Sequence, residues 1–459
     1  MSDTIVALAT PTGRSGIGVI RLSGTDALAI TQTLVGDAAF VPNPRSAHLK
    51  QLYDPTTGDV IDEAIITYFK APHSFTGEDV VEISCHGSPV LLRQVIDISL
   101  RLAARMADPG EFTLRALANG RMNLAEAEAI RDLIDAQTTA SARQAIRQLR
   151  GEFSQRLQPL KDDLLNVIVV LESAIEFVED DLPAMQADNI KAKLAEIVKE
   201  TGKLAATFQA GRLIREGLRV ALVGQPNVGK SSLFNALLGS DRAIVTEIAG
   251  TTRDQIHERF TVNGIPISLM DTAGLRESTD TVERIGVERS RATMADVDLV
   301  IVILDASENI GIEDKLIVES VQELNHLIAI NKIDIAAETV EKLSDDLNSA
   351  FRTPHSALVR VSAKTGQGLD DLRDAIIRPF APEDMTNSGF LVTDARHHDL
   401  LVRSGHEIEQ SLNQMEQKLS EEIVLIGLHN ALRYLGQITG ETTTEDMLTQ
   451  IFATFCIGK

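Results

Sequence analysis

Cysteine is nearly missing from the 459 residues: only Cys85 and Cys456 occur. Two thiols build neither a disulfide scaffold nor a cysteine-rich zinc module, and they fit a reducing, cytoplasmic setting. No run of eighteen apolar residues is present, so no membrane partner is expected. The opening MSDTIVALATPTGRSGIGVI lacks the basic-then-apolar pattern of a signal peptide. Basic residues are also short: 44 Lys and Arg stand against 66 Asp and Glu, for a net charge of −22. A chain this acidic is not a generic binder of phosphate backbones. Contact with nucleic acid needs a local patch or a partner's help. What remains is ordinary globular material, 44% hydrophobic and 24% charged, which argues against wholesale disorder. The length exceeds one ordinary core, and about three domains are expected.

Texture changes along the chain. Residues 1–120 mix short β-branched runs (Thr4–Leu8, Gly18–Leu22, Ala64–Phe69, Val80–Ser84) with Gly and Pro turns, the pattern of an α+β domain. Helical periodicity starts near Asn123 and occupies 121–216. Ile146, Leu149, Phe153, Leu157, Leu160, Leu164, Ile168, Leu171 and Ile175 recur at spacings of 3 and 4, one face of a long helix. Pro159 is expected to kink or divide it. Ile190, Leu194, Ile197, Leu204 and Phe208 mark a further helix. Residues 217–380 alternate strand and helix patterns, which predicts a parallel, doubly wound α/β sheet. Helical periodicity returns from Asp394 to Phe455, within a second helical segment taken as 381–459. Helices before and after a compact α/β unit suggest insertion of that unit into one discontinuous helical domain.

Gly224-Gln-Pro-Asn-Val-Gly-Lys-Ser231 is GxxxxGK[ST] between an apolar run and a helix pattern. Its glycines let backbone N–H groups face phosphates, and the helix start adds a positive dipole end. Lys230 is placed to reach the β- and γ-phosphates, and Ser231, followed by Ser232, to reach Mg²⁺. Asp271-Thr272-Ala273-Gly274 ends another apolar run, where a carboxylate can hold Mg²⁺ through water and a glycine N–H can meet the γ-phosphate. Gly250-Thr251-Thr252 lies between the two, positioned for a mobile loop. Asn331-Lys332-Ile-Asp334 follows a third run. Asp334 can accept from two donors on guanine that adenine does not present together. Ser362-Ala363-Lys364 follows the next run and would back the base. The ordered set over 217–380 resembles the TRAFAC-class GTP-binding proteins. Leu275 stands where many of them carry a water-orienting Gln, which leaves Glu277, Glu283 and Glu288 as candidate acids. Cys85 and His86 are adjacent in a strand pattern, so they point to opposite faces and make a poor catalytic pair.

The stretches TIVALATPTGRSGIGVIRLSG, SFTGEDVVEISCHG, PGEFTLRA, LAEAEAIRDLIDA, GQPNVGKSS, DTAGLR and the final FCIGK together resemble the MnmE (TrmE) family of tRNA modification GTPases, end to end. The resemblance implies an N-terminal folate-binding and dimerisation domain (1–120), a discontinuous helical domain (121–216 and 381–459) and an inserted Ras-like G domain (217–380). It implies a homodimer that works with an FAD-binding partner, MnmG. Together they add a carboxymethylaminomethyl or aminomethyl group at C5 of the wobble uridine of certain tRNAs. The carbon would come from 5,10-methylene- or 5-formyl-tetrahydrofolate. Residue by residue, Asn227, Thr246, Ile248 and Thr251 match K⁺ ligands, and Ser231 and Thr252 match Mg²⁺ ligands. Val228, Gly229, Glu247 and Ala249 fall among nucleotide-contacting positions. Glu283 matches the acid that orients water, which would supply what Leu275 cannot. Arg21, Glu82, Arg121 and Lys459 match folate-binding positions, and Cys456 matches a C-terminal cysteine. Two alternatives stay open: a GTP-controlled binding switch of the ribosome-assembly type, and a stand-alone folate one-carbon transferase. The lack of a GxGxxG dinucleotide fingerprint disfavours unaided redox chemistry.

Overall fold

The computed structural model describes residues 3–176, 184–239, 257–271, 297–336, 357–380 and 389–458. The chain divides into two compact units, one of 1–134, 148–182 and 414–459, the other of 135–147 and 183–413.

In the first unit a six-stranded sheet forms from β1 (Thr4–Leu8), β2 (Ile17–Ser23), β3 (Ala47–Tyr53), β4 (Val60–Phe69), β5 (Val80–His86) and β6 (Ala104–Met106), in the order β3-β4-β5-β2-β1-β6. Side chains alternate between its faces, so neighbours in sequence serve different cores. Val6, Ile20, Leu22 and Ile83 join α1 (Ala27–Val35) and α2 (Pro89–Arg101) in one buried cluster. Ile5 and Ala7 turn the other way to Phe112 of α3 (Glu111–Ala118). Next along the chain come α4 (Leu124–Asp135), α5 (Thr139–Leu149), most of which belongs to the second unit, and α6 (Glu152–Glu176). The Asn123 side chain accepts from Glu126 N (3.0 Å) while Glu126 returns a carboxylate to Asn123 N (3.0 Å), a reciprocal cap that fixes where the helices begin. α6 packs on α13 (Glu421–Thr439), and α14 (Glu445–Phe452) closes the unit.

The long helix expected through Ile146–Ile175 does divide, but at Gly151, not at Pro159. Gly151 adopts φ +78°, a left-handed conformation that ends α5, and α6 then runs unbroken through Pro159. Pro159 and Gln155, whose carbonyl loses its partner, are both exposed, so water can take the place of the missing bond. Likewise Phe208 opens a separate helix instead of continuing the one that carries Ile190 to Leu204. The break at Thr207 separates α7 (Ala184–Ala206) from α8 (Phe208–Glu216).

The second unit contains a doubly wound sheet of β7 (Leu218–Val223), β8 (His257–Val262), β9 (Ile265–Asp271), β10 (Leu299–Asp305), β11 (His326–Asn331) and β12 (Ala357–Arg360), in the order β12-β11-β10-β7-β9-β8. Among the described strands of this sheet only the β8–β9 pair is antiparallel. β10 (LVIVILD) and β11 (HLIAIN) are buried at every position, as central parallel strands covered on both faces must be. One face packs against α9 (Lys230–Leu238) and α11 (Leu369–Ile377), the other against α10 (Ile312–Ser320).

Both connections to this sheet run along α8. Residues 207, 211 and 215 lie on one side of it. Thr207 Oγ1 accepts from Val392 N (3.0 Å). A Cβ on Gly211 would lie 2.0 Å from Val392 O, so only glycine allows that approach. Arg215 Nη1 donates to Thr393 O (3.3 Å) and to Asp394 Oδ2 (2.8 Å), just before α12 (Ala395–Glu416). At the incoming connection, Gly217 has φ +75°, and a Cβ there would meet Pro266 O at 2.1 Å.

Candidate nucleotide-binding site

The GxxxxGKS segment joins β7 to α9 at the carboxyl edge of the parallel sheet, where open α/β sheets bind ligands. Gly224 and Gly229 are required sterically: an added Cβ would come within 2.5 Å of Ile303 O and 2.3 Å of Asn331 Nδ2 respectively. Asn227 is left-handed (φ +66°) and exposed, and Val228 is buried beneath the loop. The Lys230 ammonium donates to Gly224 O (2.9 Å) and Gln225 O (2.6 Å), closing the loop on itself. Ser231 and Ser232 sit exposed in the first turn of α9. Successive N–H groups, a helix start and an ammonium together make an anion cradle.

The segments 331–334 and 362–364, expected to face the base, converge on the same edge. Asn331 is 2% exposed. Its Nδ2 donates to Val228 O (2.9 Å), and its Oδ1 accepts from Ala363 N (3.0 Å). The amide therefore ties the phosphate loop to the segment at 362–364. Asp334, exposed, accepts at Oδ1 from Ser362 Oγ (2.8 Å), and Ser362 Oγ also accepts from Thr365 N (3.1 Å). No hydrogen bond reaches Asp334 Oδ2 from the described residues, so that oxygen can accept from a ligand. Lys364 is exposed. Lys332 pairs with Asp305 at the end of β10, a residue that no motif marked. Burial pushes the Asp305 carboxyl up, but the Lys332 ammonium and the Ser307 donors outweigh it and hold its pKa below the usual aspartate value. A signal for it did exist: Asp305 closes an apolar run as Asn331 does, and the two are register partners in adjacent strands.

Asp271 ends β9 with its backbone beside Leu222, next to the start of the phosphate loop. Thr246, Glu247, Ile248, Ala249, Gly250, Thr251, Thr252, Thr272, Ala273, Gly274 and Glu283 lie outside the described residues, as does Lys459.

A second cluster forms in the N-terminal sheet. Arg21 donates from Nε (2.9 Å) and Nη2 (2.6 Å) to Glu82 Oε1, its cross-strand partner. Its Nη1 donates to Gly458 O (3.0 Å), and its guanidinium lies 5.7 Å from the Phe112 ring centroid. The C-terminal tail thus reaches the sheet, with Cys456 exposed on it. Arg121 sits exposed beside Gly77 and makes no hydrogen bond to Arg21 or Glu82 among the described residues. Cys85 is buried, and its thiol is pushed up to about 12 by that burial and by Asp62. His86 points outward instead and meets Asp62 through Nδ1 (2.7 Å), so the two adjacent residues do not form a pair.

Two family models match the chain: the MnmE helical domain over residues 124–456, and the GTP-binding protein TrmE N-terminus over 4–121. A tRNA modification GTPase MnmE from Koribacter versatilis is 46% identical over 463 residues, covering 100% of both chains. The chain belongs to the MnmE family of tRNA modification GTPases. An MnmE protein of Aquifex aeolicus is 42% identical, again over 100% of each chain. Solved structures similar to part of this MnmE-family chain include an Aquifex aeolicus Era with bound GDP and AlF₄⁻ (29% identity, 41% of this chain, 66% of that chain, TM-score 0.30). The G domain of the T. maritima FeoB iron transporter is similar at 31% identity (35% of this chain, 97% of that chain, TM-score 0.26). Among the described residues no helix is long and apolar enough to cross a membrane.

Proposed function

We propose that this chain is a GTPase that serves tRNA modification, with K⁺ assisting the phosphoryl transfer. The convergence of the 224–231 cradle with Asn331, Asp334 and Ser362 at one sheet edge carries the reading, because it joins a triphosphate site to a guanine-selective acceptor. In the reaction, Lys230 and the loop N–H groups hold the phosphates, and Ser231, with Thr252, takes Mg²⁺. The exposed, left-handed Asn227 offers an amide oxygen to K⁺ together with Thr246, Ile248 and Thr251. A monovalent cation there supplies positive charge where negative charge develops. Glu283 orients the attacking water, the task that Leu275 cannot perform.

The N-terminal cluster suits a reduced folate. Arg21 occupies only Oε1 of Glu82, so Oε2 remains for a pterin N–H, and cations such as Arg121 and Lys459 suit glutamyl carboxylates. On this reading the chain is a homodimer that works with the FAD-binding MnmG. The pair adds a carboxymethylaminomethyl or aminomethyl group at C5 of the wobble uridine, and GTP turnover drives the conformational change. Flavin redox chemistry belongs to the partner. With a net charge of −22, most tRNA phosphate contacts belong to the partner as well. GTP turnover in KCl compared with NaCl tests the mechanism directly. Faster turnover in KCl is expected, and equal rates would remove the cation from the reaction.

A further inference from the structure

Asp305 is 9% exposed and fully engaged. Oδ1 accepts from the Ser307 backbone N–H (2.9 Å) and hydroxyl (2.6 Å), and Oδ2 accepts from the Lys332 ammonium (2.5 Å). Ala306 N donates to Asn331 O (2.8 Å), so the turn after β10 is locked to the residue preceding Lys332. Lys332 itself has φ +65°, a left-handed backbone that a long side chain seldom adopts. Two residues later stands Asp334, the guanine acceptor. A free lysine side chain samples many rotamers, and ordering it on ligand arrival weakens binding. Here both its backbone and its charged end are fixed in advance, with the ammonium held by Asp305.

We propose that Asp305 is a positioning residue for the guanine nucleotide: it pins Lys332 so that the base-side segment is ordered before the ligand arrives. The assignment rests on the reading of 331–334 and 362–364 as the guanine side of the site. An alternative role is purely structural, with the ion pair only bracing the ends of β10 and β11.

A double-mutant cycle in the full-length protein separates the two. Asp305→Asn, Lys332→Met and the double variant are compared by release of fluorescent N-methylanthraniloyl-GDP, with the ADP analogue as control and thermal unfolding in parallel. Each single variant is expected to release the GDP analogue about tenfold faster, the scale of a charge-assisted hydrogen bond. The double variant should be no faster than Lys332→Met alone. Additive effects would overturn the proposal, because Asp305 would then act through Ser307 or the sheet. So would wild-type release from Lys332→Met, a variant that keeps the stem and should fold even where Asp305→Asn does not. A wild-type protein that holds the ADP analogue as tightly as the GDP analogue would overturn the guanine reading itself, and the proposal with it.

Discussion

Asn331 belongs to the base-side motif, yet both ends of its amide are spent inside the protein. Asn331→Ala removes a donor to Val228 O and an acceptor for Ala363 N, in a setting where the parent side chain is 2% exposed. Leaving a buried polar group without a partner costs about 1–3 kcal/mol, so the two together cost at least about 2 kcal/mol. In the nucleotide-free variant the phosphate loop and the 362–364 segment can relax and let water reach these groups. Nucleotide must then re-impose the order, and the cost appears in affinity. At about 1.4 kcal/mol per factor of ten, the dissociation constant for GDP should rise more than about tenfold. Asn331→Asp sharpens the test: it keeps the acceptor for Ala363 N but sets a carboxylate against the Val228 carbonyl, and should bind no better than the alanine variant. Equilibrium titration with a fluorescent GDP analogue measures both. Affinities within threefold of wild type would refute the argument that this amide holds the two halves of the site together.

Asp334→Asn should lower GTP affinity and raise affinity for xanthosine nucleotides, because an amide donates where the carboxylate accepted; competition binding reads the exchange, and unchanged GTP affinity would end the assignment. The Asp394 carboxyl is raised by burial but lowered further by His397 and Arg215, so its folded pKa lies below the ordinary 3.8. The stability this contributes is present above that value and is lost as pH falls through it toward the folded pKa. Arg215→Met should cost about 3 kcal/mol at neutral pH, with less further loss on acidification, in thermal melts followed by circular dichroism. A thiol reagent should modify Cys456 quickly and Cys85 only after unfolding; two fast thiols in the folded protein would contradict the buried position of Cys85.

Much of this architecture was legible because each strong signal was local. The alternation in 80–86, the apolar runs at 299–304 and 327–330, and the glycines of the phosphate loop each encode their own geometry. They set Asn331, Asp334 and Ser362 just after successive apolar runs, which the structure brings to one sheet edge. What escaped depended on longer range. Gly151 outcompeted Pro159 as a helix break because proline on an exposed face costs only one bond, whereas a left-handed glycine redirects the chain. Asp305 carries no motif of its own; its meaning comes from register with Asn331 across two strands. Arg21 and Glu82, legible only through the family resemblance, are 61 residues apart, and the tail that meets Arg21 comes from 437 residues away. Only folding brings those groups together.

On the reading that residues 217–380 are an insertion, the arrangement along α8 also makes the sheet removable. Gly217 leads from the end of α8 into β7, and residues 392–394 are tied back to Thr207, Gly211 and Arg215 along the same helix. A host that offers two adjacent attachment points loses few of its own contacts when the guest is excised and the ends are rejoined by a short linker. The same geometry lets a nucleotide-driven module be acquired whole, plugged into an existing helical framework without unravelling it.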